Sequence, residues 1–201
     1  LHRRRHSFPT RRSSDLVGAI ERAVLIKSKN GVKGVELWFK SDAGEKAVFP
    51  IYTEKADGEK LMGNGLFMTV MAVLKLRDVK AKEKGYKVYD YDTRSDVDVV
   101  LNGLPDVEGK RIGVLVETED SEYNGKIYVN KPIPVMFFQA DTELNATEVL
   151  SGVTEPKAVA KRVLTLKHRP LKGDKKAFVS TVSNGSEGHA NQVIDDSDIP
   201  F

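Results

Sequence analysis

The stretch KGVELWFKS, residues 33–41, decides how the chain is read. Its apolar residues fall on every second position. Val35, Leu37 and Phe39 share one face, and Glu36, Trp38 and Lys40 share the other. Period two is the signature of a strand with one side in a core and one side in water. The same character spreads in both directions. Upstream, GAIERAVLIKS (18–28) is β-branched and apolar and closes at a KNG turn. Downstream, DAG turns the chain into EKAVFPIYT (45–53), where Pro50 has no N–H for a ladder and so predicts an edge strand or a bulge.

Further along, LFMTVMAVLKL (66–76) is apolar almost all round and predicts a helix buried over much of its surface. GYKVYDYD (85–92) reads as a strand. KRIGVLVETED (110–120) and GKIYVNKPIPVMFF (125–138), joined by a polar SEYNG turn, read as a hairpin. The last third is helical: TELNATEVLSG (142–152) offers Asn145 or Thr147 as N-cap. TEPKAVAKRVLTLKHRP (154–170) places Pro156 in a first helical turn and Pro170 at the stop. From about Gly173 onward Lys, Ser, Gly, Asn and His prevail, the composition of a flexible linker. The expected fold is therefore mainly β with helical additions. An OB-fold-like small barrel is favoured over a sandwich by the several short strands. It spans residues 17–172 with a helical annex over about 145–168, and a disordered acidic tail follows over 173–201.

Charge is split along the chain. The formal net charge of the 201 residues is +3, yet residues 1–16 alone carry five Arg and one Asp. Within them HSFPTRRSSDL (6–16) resembles a translated short-read sequencing adapter, codon by codon. Residues 1–16 are accordingly expected to be no part of the native protein, with the native frame resuming near Val17 and the native N-terminus missing. Glu187, Asp195, Asp196 and Asp198 make the tail acidic, which leaves a mildly basic body. Such asymmetry points to a polyanionic partner. The absence of cysteine removes disulfides and thiolate metal sites and fits a reducing compartment. No apolar run approaches the length of a membrane span, so no membrane partner is expected.

The densest candidate for nucleic-acid contact is KLRDVKAKEKGYKVYDYD (75–92), which interleaves Lys75, Arg77, Lys80, Lys82, Lys84 and Lys87 with Tyr86, Tyr89 and Tyr91. In an extended strand Lys87, Tyr89 and Tyr91 share a face. Trp38 with Lys40, and Tyr128 with Lys126, repeat the pairing of one ring with one cation. Rings stack on any base and ammonium groups meet phosphates, so this pattern suits a platform for unpaired polynucleotide, each stacked base contributing about 1–3 kcal/mol. Other constellations are weak. DTRSDVD (92–98) spaces Asp92, Asp96 and Asp98 loosely like a cation loop but lacks the glycine and closing glutamate of a calcium hand. MGNGL (62–66) lacks the Lys-Ser/Thr of a phosphate loop. No nucleophile–base pair can be named, and neither an enzyme nor a cofactor is expected.

The chain closes on DDSDIPF (195–201). This resembles the acidic tip of bacterial single-stranded-DNA-binding proteins, which end on Asp-Ile-Pro-Phe. The body is similar to phage-encoded single-stranded-DNA-binding proteins in GAIERAVLIKSKNGVKGVELWF (18–39), in GKRIGVLVETEDSEYNGKIYVNKP (109–132), and in ATEVLSG (146–152) with AVAKRVLTLKHRPLKG (158–173). The resemblance implies sequence-independent binding of single-stranded DNA in phage replication, recombination and repair, within the bacterial host cytoplasm. It implies that Asp195, Asp196, Asp198, Ile199, Pro200 and Phe201 dock replication and recombination proteins. The chain departs from the cellular pattern in its extra helices and in lacking a Gln/Gly-rich linker, which leaves homo-oligomerisation open. The alternatives are a phage adaptor that holds no nucleic acid and a metal-dependent DNA-processing enzyme built on Asp92, Asp96 and Asp98.

Overall fold

The computed structural model describes residues 15–90, 93–123 and 126–171. Three strands form an antiparallel meander: β1 (Asp15–Lys27), β2 (Lys33–Ser41) and β3 (Lys46–Glu54). Helix α1 (Met62–Val73) follows, then the hairpin of β4 (Lys82–Asp90) and β5 (Ser95–Gly103), then the hairpin of β6 (Arg111–Tyr123) and β7 (Lys126–Phe138). Two short helices, α2 (Ala146–Leu150) and α3 (Ala158–Val163), lead to β8 (His168–Arg169), which runs parallel to β6. The main path of the sheet is β3-β2-β1-β5-β4, with β6, β7 and β8 branching from β1. The protein is thus mainly β, and its hydrogen-bonded strands form an open sheet. Pro50 sits on β3, which ends the path, as its missing N–H requires.

Strand β1 serves two partners. Residues 15–19 pair with β6, while Val24 pairs with Gly103 of β5. The pairing therefore begins within the adapter-like string, at Asp15 and Leu16. Between the two halves the register with β2 slips: Ile20 opposes Phe39, but Arg22 opposes Trp38. Glu21 is the extra residue of a β-bulge. In a regular strand Arg22 would share the core-facing side with Ile20; the inserted residue turns it to the other face. That local event creates the site described below.

One core collects Ile20, Leu37, Phe39, Phe49, Ile51, Val70, Ile112, Val114 and Phe137 from the meander, α1, β6 and β7. The alternation read from residues 33–41 holds, with Val35, Leu37 and Phe39 buried and Lys40 exposed. A smaller cluster of Leu115, Phe138 and Val159 lies on the other side of β6 under α3, so β6 is buried on both faces over residues 112–117.

Helix α1 and the second annex helix differ from the sequence expectation, and the choice of cap for α2 is settled. Helix α1 begins at Met62 rather than Leu66; Gly63 permits this, because a Cβ there would lie 2.1 Å from the Tyr52 carbonyl oxygen. Only Val70, Met71 and Val73 of α1 are buried, and Met62 and Met68 are exposed. The second annex helix is short, ending at Val163, because His168 and Arg169 are drawn onto β6 instead of continuing it. Asn145, not Thr147, caps α2 through a reciprocal capping box with Glu148.

Candidate nucleic-acid interface

The bulge sets a guanidinium between two rings. The Arg22 carbon Cζ lies 3.6 Å from the centroid of the Trp38 ring and 5.6 Å from that of Tyr86. Trp38 is half-buried, and its indole N–H donates to Glu36 at 2.6 Å. Tyr86 reaches across its hairpin to Gly103, where a Cβ would meet the Tyr86 hydroxyl at 2.0 Å; a glycine is therefore what lets the ring lie there. The surface so formed is the side of the meander opposite the core, joined by the near end of the β4–β5 hairpin.

Glu108 fastens the arrangement. Its carboxylate accepts from the Tyr86 hydroxyl, from the Lys84 ammonium and from the Ala23 backbone N–H at 3.3 Å. Burial by itself would raise the Glu108 carboxyl, but Lys84, Tyr86 and the Ala23 N–H outweigh it and hold the group below its ordinary value. Burial, then the hydrogen bond and charge of Glu108, push the Tyr86 hydroxyl up to about 12. Lys84 also lies 5.2 Å from the Tyr86 centroid, so this ring has two cations within reach.

The sequence candidates divide accordingly. Trp38, Lys84 and Tyr86 are brought together through Arg22. Lys40 is exposed on the Trp38 strand and lies 3.8 Å from Glu21, which also meets Lys46 at 4.0 Å. Lys75 follows α1 in a left-handed conformation (φ 55°), and Arg77, Lys80 and Lys82 continue an exposed cationic segment into β4. Lys87 lies on the other face of the hairpin from Tyr86, with Asp98 as its cross-strand partner, and Tyr89 pairs in register with Asp96, so the expected basic strand is met by carboxylates. Tyr128 is exposed on the separate β6–β7 hairpin, whose strand β7 begins at Lys126. Tyr91 and the tip residues Asp195, Asp196, Asp198, Ile199, Pro200 and Phe201 lie outside the described residues, as does Asp92. Among the described residues no group of three or more His, Asp or Glu side chains is arranged to hold a metal ion. Among them, too, no helix is long and apolar enough to cross a membrane.

Arg22 is the residue that sequence reasoning missed. Within GAIERAVLIKS it reads as a lone charge in an apolar strand, and only the bulge beside Glu21 reveals its face. A cavity of about 410 Å³ lined by Leu25, Ile26, Val35 and Phe67 lies elsewhere and includes none of these rings. No protein-family model matches the chain, and no curated protein matches it significantly.

Proposed function

We propose that the chain binds single-stranded DNA without sequence preference in phage replication and recombination, and that its acidic C-terminal tip recruits partner proteins. The observation that carries this reading is the pair of rings, Trp38 and Tyr86, held on one solvent-facing sheet surface around Arg22. Arg22 lies over the indole and Trp38 is only half-buried, so the ring suits stacking of a base, which is indifferent to base identity. The cationic segment Lys75, Arg77, Lys80 and Lys82 leads directly into the strand that carries Tyr86 and is the natural track for phosphates. The fold supports the reading as a partly open OB-type barrel. A meander is followed by α1, which packs against both β3 and β7, and the bent β1 is shared between two partners. At the tip, Phe201 suits an apolar pocket while Asp195, Asp196 and Asp198 suit a basic rim, steering encounter more than adding affinity.

One observation favours the adaptor alternative: Lys40, Lys46 and Lys84 are already paired with carboxylates. Fluorescence anisotropy of labelled oligo-dT over a salt series separates the two. The proposal expects binding whose logarithm falls with log salt by about 0.7 per phosphate neutralised. No anisotropy change in dilute buffer supports the adaptor, and magnesium-dependent cleavage of the probe would favour a DNA-processing enzyme.

A further inference from the structure

Arg22 is only 8% exposed, yet among the described residues its side chain makes no hydrogen bond and no ion pair. Nε is sealed from solvent without a partner. The two terminal nitrogens bond to no other described residue, and the guanidinium carbon lies 3.6 Å from the Trp38 ring centroid. A nearly buried cation without a counter-ion is costly, because desolvation disfavours charge unless an anion or hydrogen bonds compensate. The neighbouring carboxylates are engaged elsewhere: Glu36 takes the indole N–H, and Glu108 takes Lys84, Tyr86 and the Ala23 amide. Two rings whose centroids lie 3.6 and 5.6 Å from Cζ restrict where the guanidinium, and with it its N–H fork, can sit. Such a fork matches the geometry of phosphate oxygens.

Resting on the single-strand reading above, we infer that Arg22 is the phosphate clamp of the surface, receiving one phosphodiester of the strand whose base stacks on Trp38. Among the cations predicted from sequence, Lys40 and Lys84 already meet carboxylates, and Lys75, Arg77, Lys80 and Lys82 are exposed. Arg22 is the pre-oriented one, and it sets the strand's register against the indole.

The test measures oligo-dT anisotropy over a salt series for the full chain and for Arg22→Met and Arg22→Lys, with thermal melts alongside. Met keeps the packing between the rings and removes the charge. Its salt slope is expected to shrink by about 0.7, one phosphate's worth. Affinity is expected to fall on the order of tenfold, as for a lost hydrogen bond to a charged group, while Trp38 emission is still quenched at saturation. Wild-type slope and affinity in the Met variant would overturn the clamp, and so would weakened binding with an unchanged slope, which marks a merely structural stack. Should the Met variant not fold, Arg22→Lys decides. Retained slope with affinity reduced several-fold supports a clamp that needs the fork, and wild-type affinity refutes it. If the unaltered chain itself ignores oligo-dT, it is the single-strand reading that fails, a distinct result.

Discussion

Replacing Gly103 by alanine tests whether the Tyr86 ring is held as described. The new Cβ would lie 2.0 Å from the Tyr86 hydroxyl and 3.1 Å from Cζ, whereas ordinary contact begins at 3.4 Å. The hydroxyl would have to retreat by about 1.4 Å, the difference between those two distances. The backbone cannot retreat in its place, since Gly103 is paired with Lys82 on one side and Val24 on the other. Two responses are open. If the ring stays, the overpacked contact costs about 1–3 kcal/mol. If it swings out, the bond to the ionised Glu108 is lost, worth about 1.5–3 kcal/mol. Either route lowers the melting temperature by about 2–12 °C for a domain of this size. The routes differ spectroscopically: a released Tyr86 titrates near the ordinary phenol value of about 10 instead of about 12. Ultraviolet difference titration reads this directly. A double-mutant cycle with Tyr86→Ala isolates the clash, because Gly103→Ala should then be nearly neutral. An equal cost of Gly103→Ala with and without the Tyr86 ring would refute the packing argument.

Other expectations follow from the same contacts. Trp38→Ala should weaken oligo-dT binding by about 1–3 kcal/mol, roughly 5- to 150-fold, and Trp38→Phe should recover much of it; equal affinities in an anisotropy titration would remove Trp38 from the interface. The lowered Glu108 carboxyl contributes stability that is present above the ordinary carboxylate range and lost as pH falls through the folded value. The melting-temperature gap between wild type and Glu108→Gln should therefore narrow as pH falls below the ordinary carboxylate range, and a constant gap would contradict the linkage. Glu117 is 5% exposed and is held by Arg162 at 3.1 Å and Arg169 at 2.8 Å. Removing both arginines strands a buried carboxylate, at a cost of about 3–5 kcal/mol, and hydrogen exchange should show α3 and β8 loosening from β6. Deleting residues 195–201 should leave oligo-dT affinity unchanged or slightly higher while abolishing capture of partner proteins; a large loss of DNA affinity would place the tip in the DNA interface instead.

Much of the fold is legible because one-sided burial writes itself as alternation. Val35, Leu37 and Phe39 announce β2, and the paired apolar runs of 110–120 and 125–138 announce the β6–β7 hairpin. Strand β5 was hidden by its own polar face. Asp96 and Asp98 suggest a loop, although Val97, Val99 and Leu101 alternate with them and turn out to be less exposed. The annex helix was over-extended because its C-terminal end is decided by distant partners. His168 meets Thr118 and Asp120, and Arg169 meets Glu117, none of them near in sequence.

The candidate site is half legible for the same reason. Trp38, Lys84 and Tyr86 stand out locally as rings and cations. That they share one surface depends on strand register and on the bulge at Glu21, which no local pattern records. The phase of β4 shows the limit: alternation alone favours the face of Lys87 and Tyr89, while the contact with Arg22 and Gly103 selects the face of Tyr86.

The most direct test uses the protein's single tryptophan as its own reporter. Oligo-dT added to the chain in dilute buffer should quench Trp38 emission to saturation, and added salt should restore it as phosphate contacts are lost. Emission that stays constant throughout such a titration would contradict the claim that this ring-bearing surface holds single-stranded DNA.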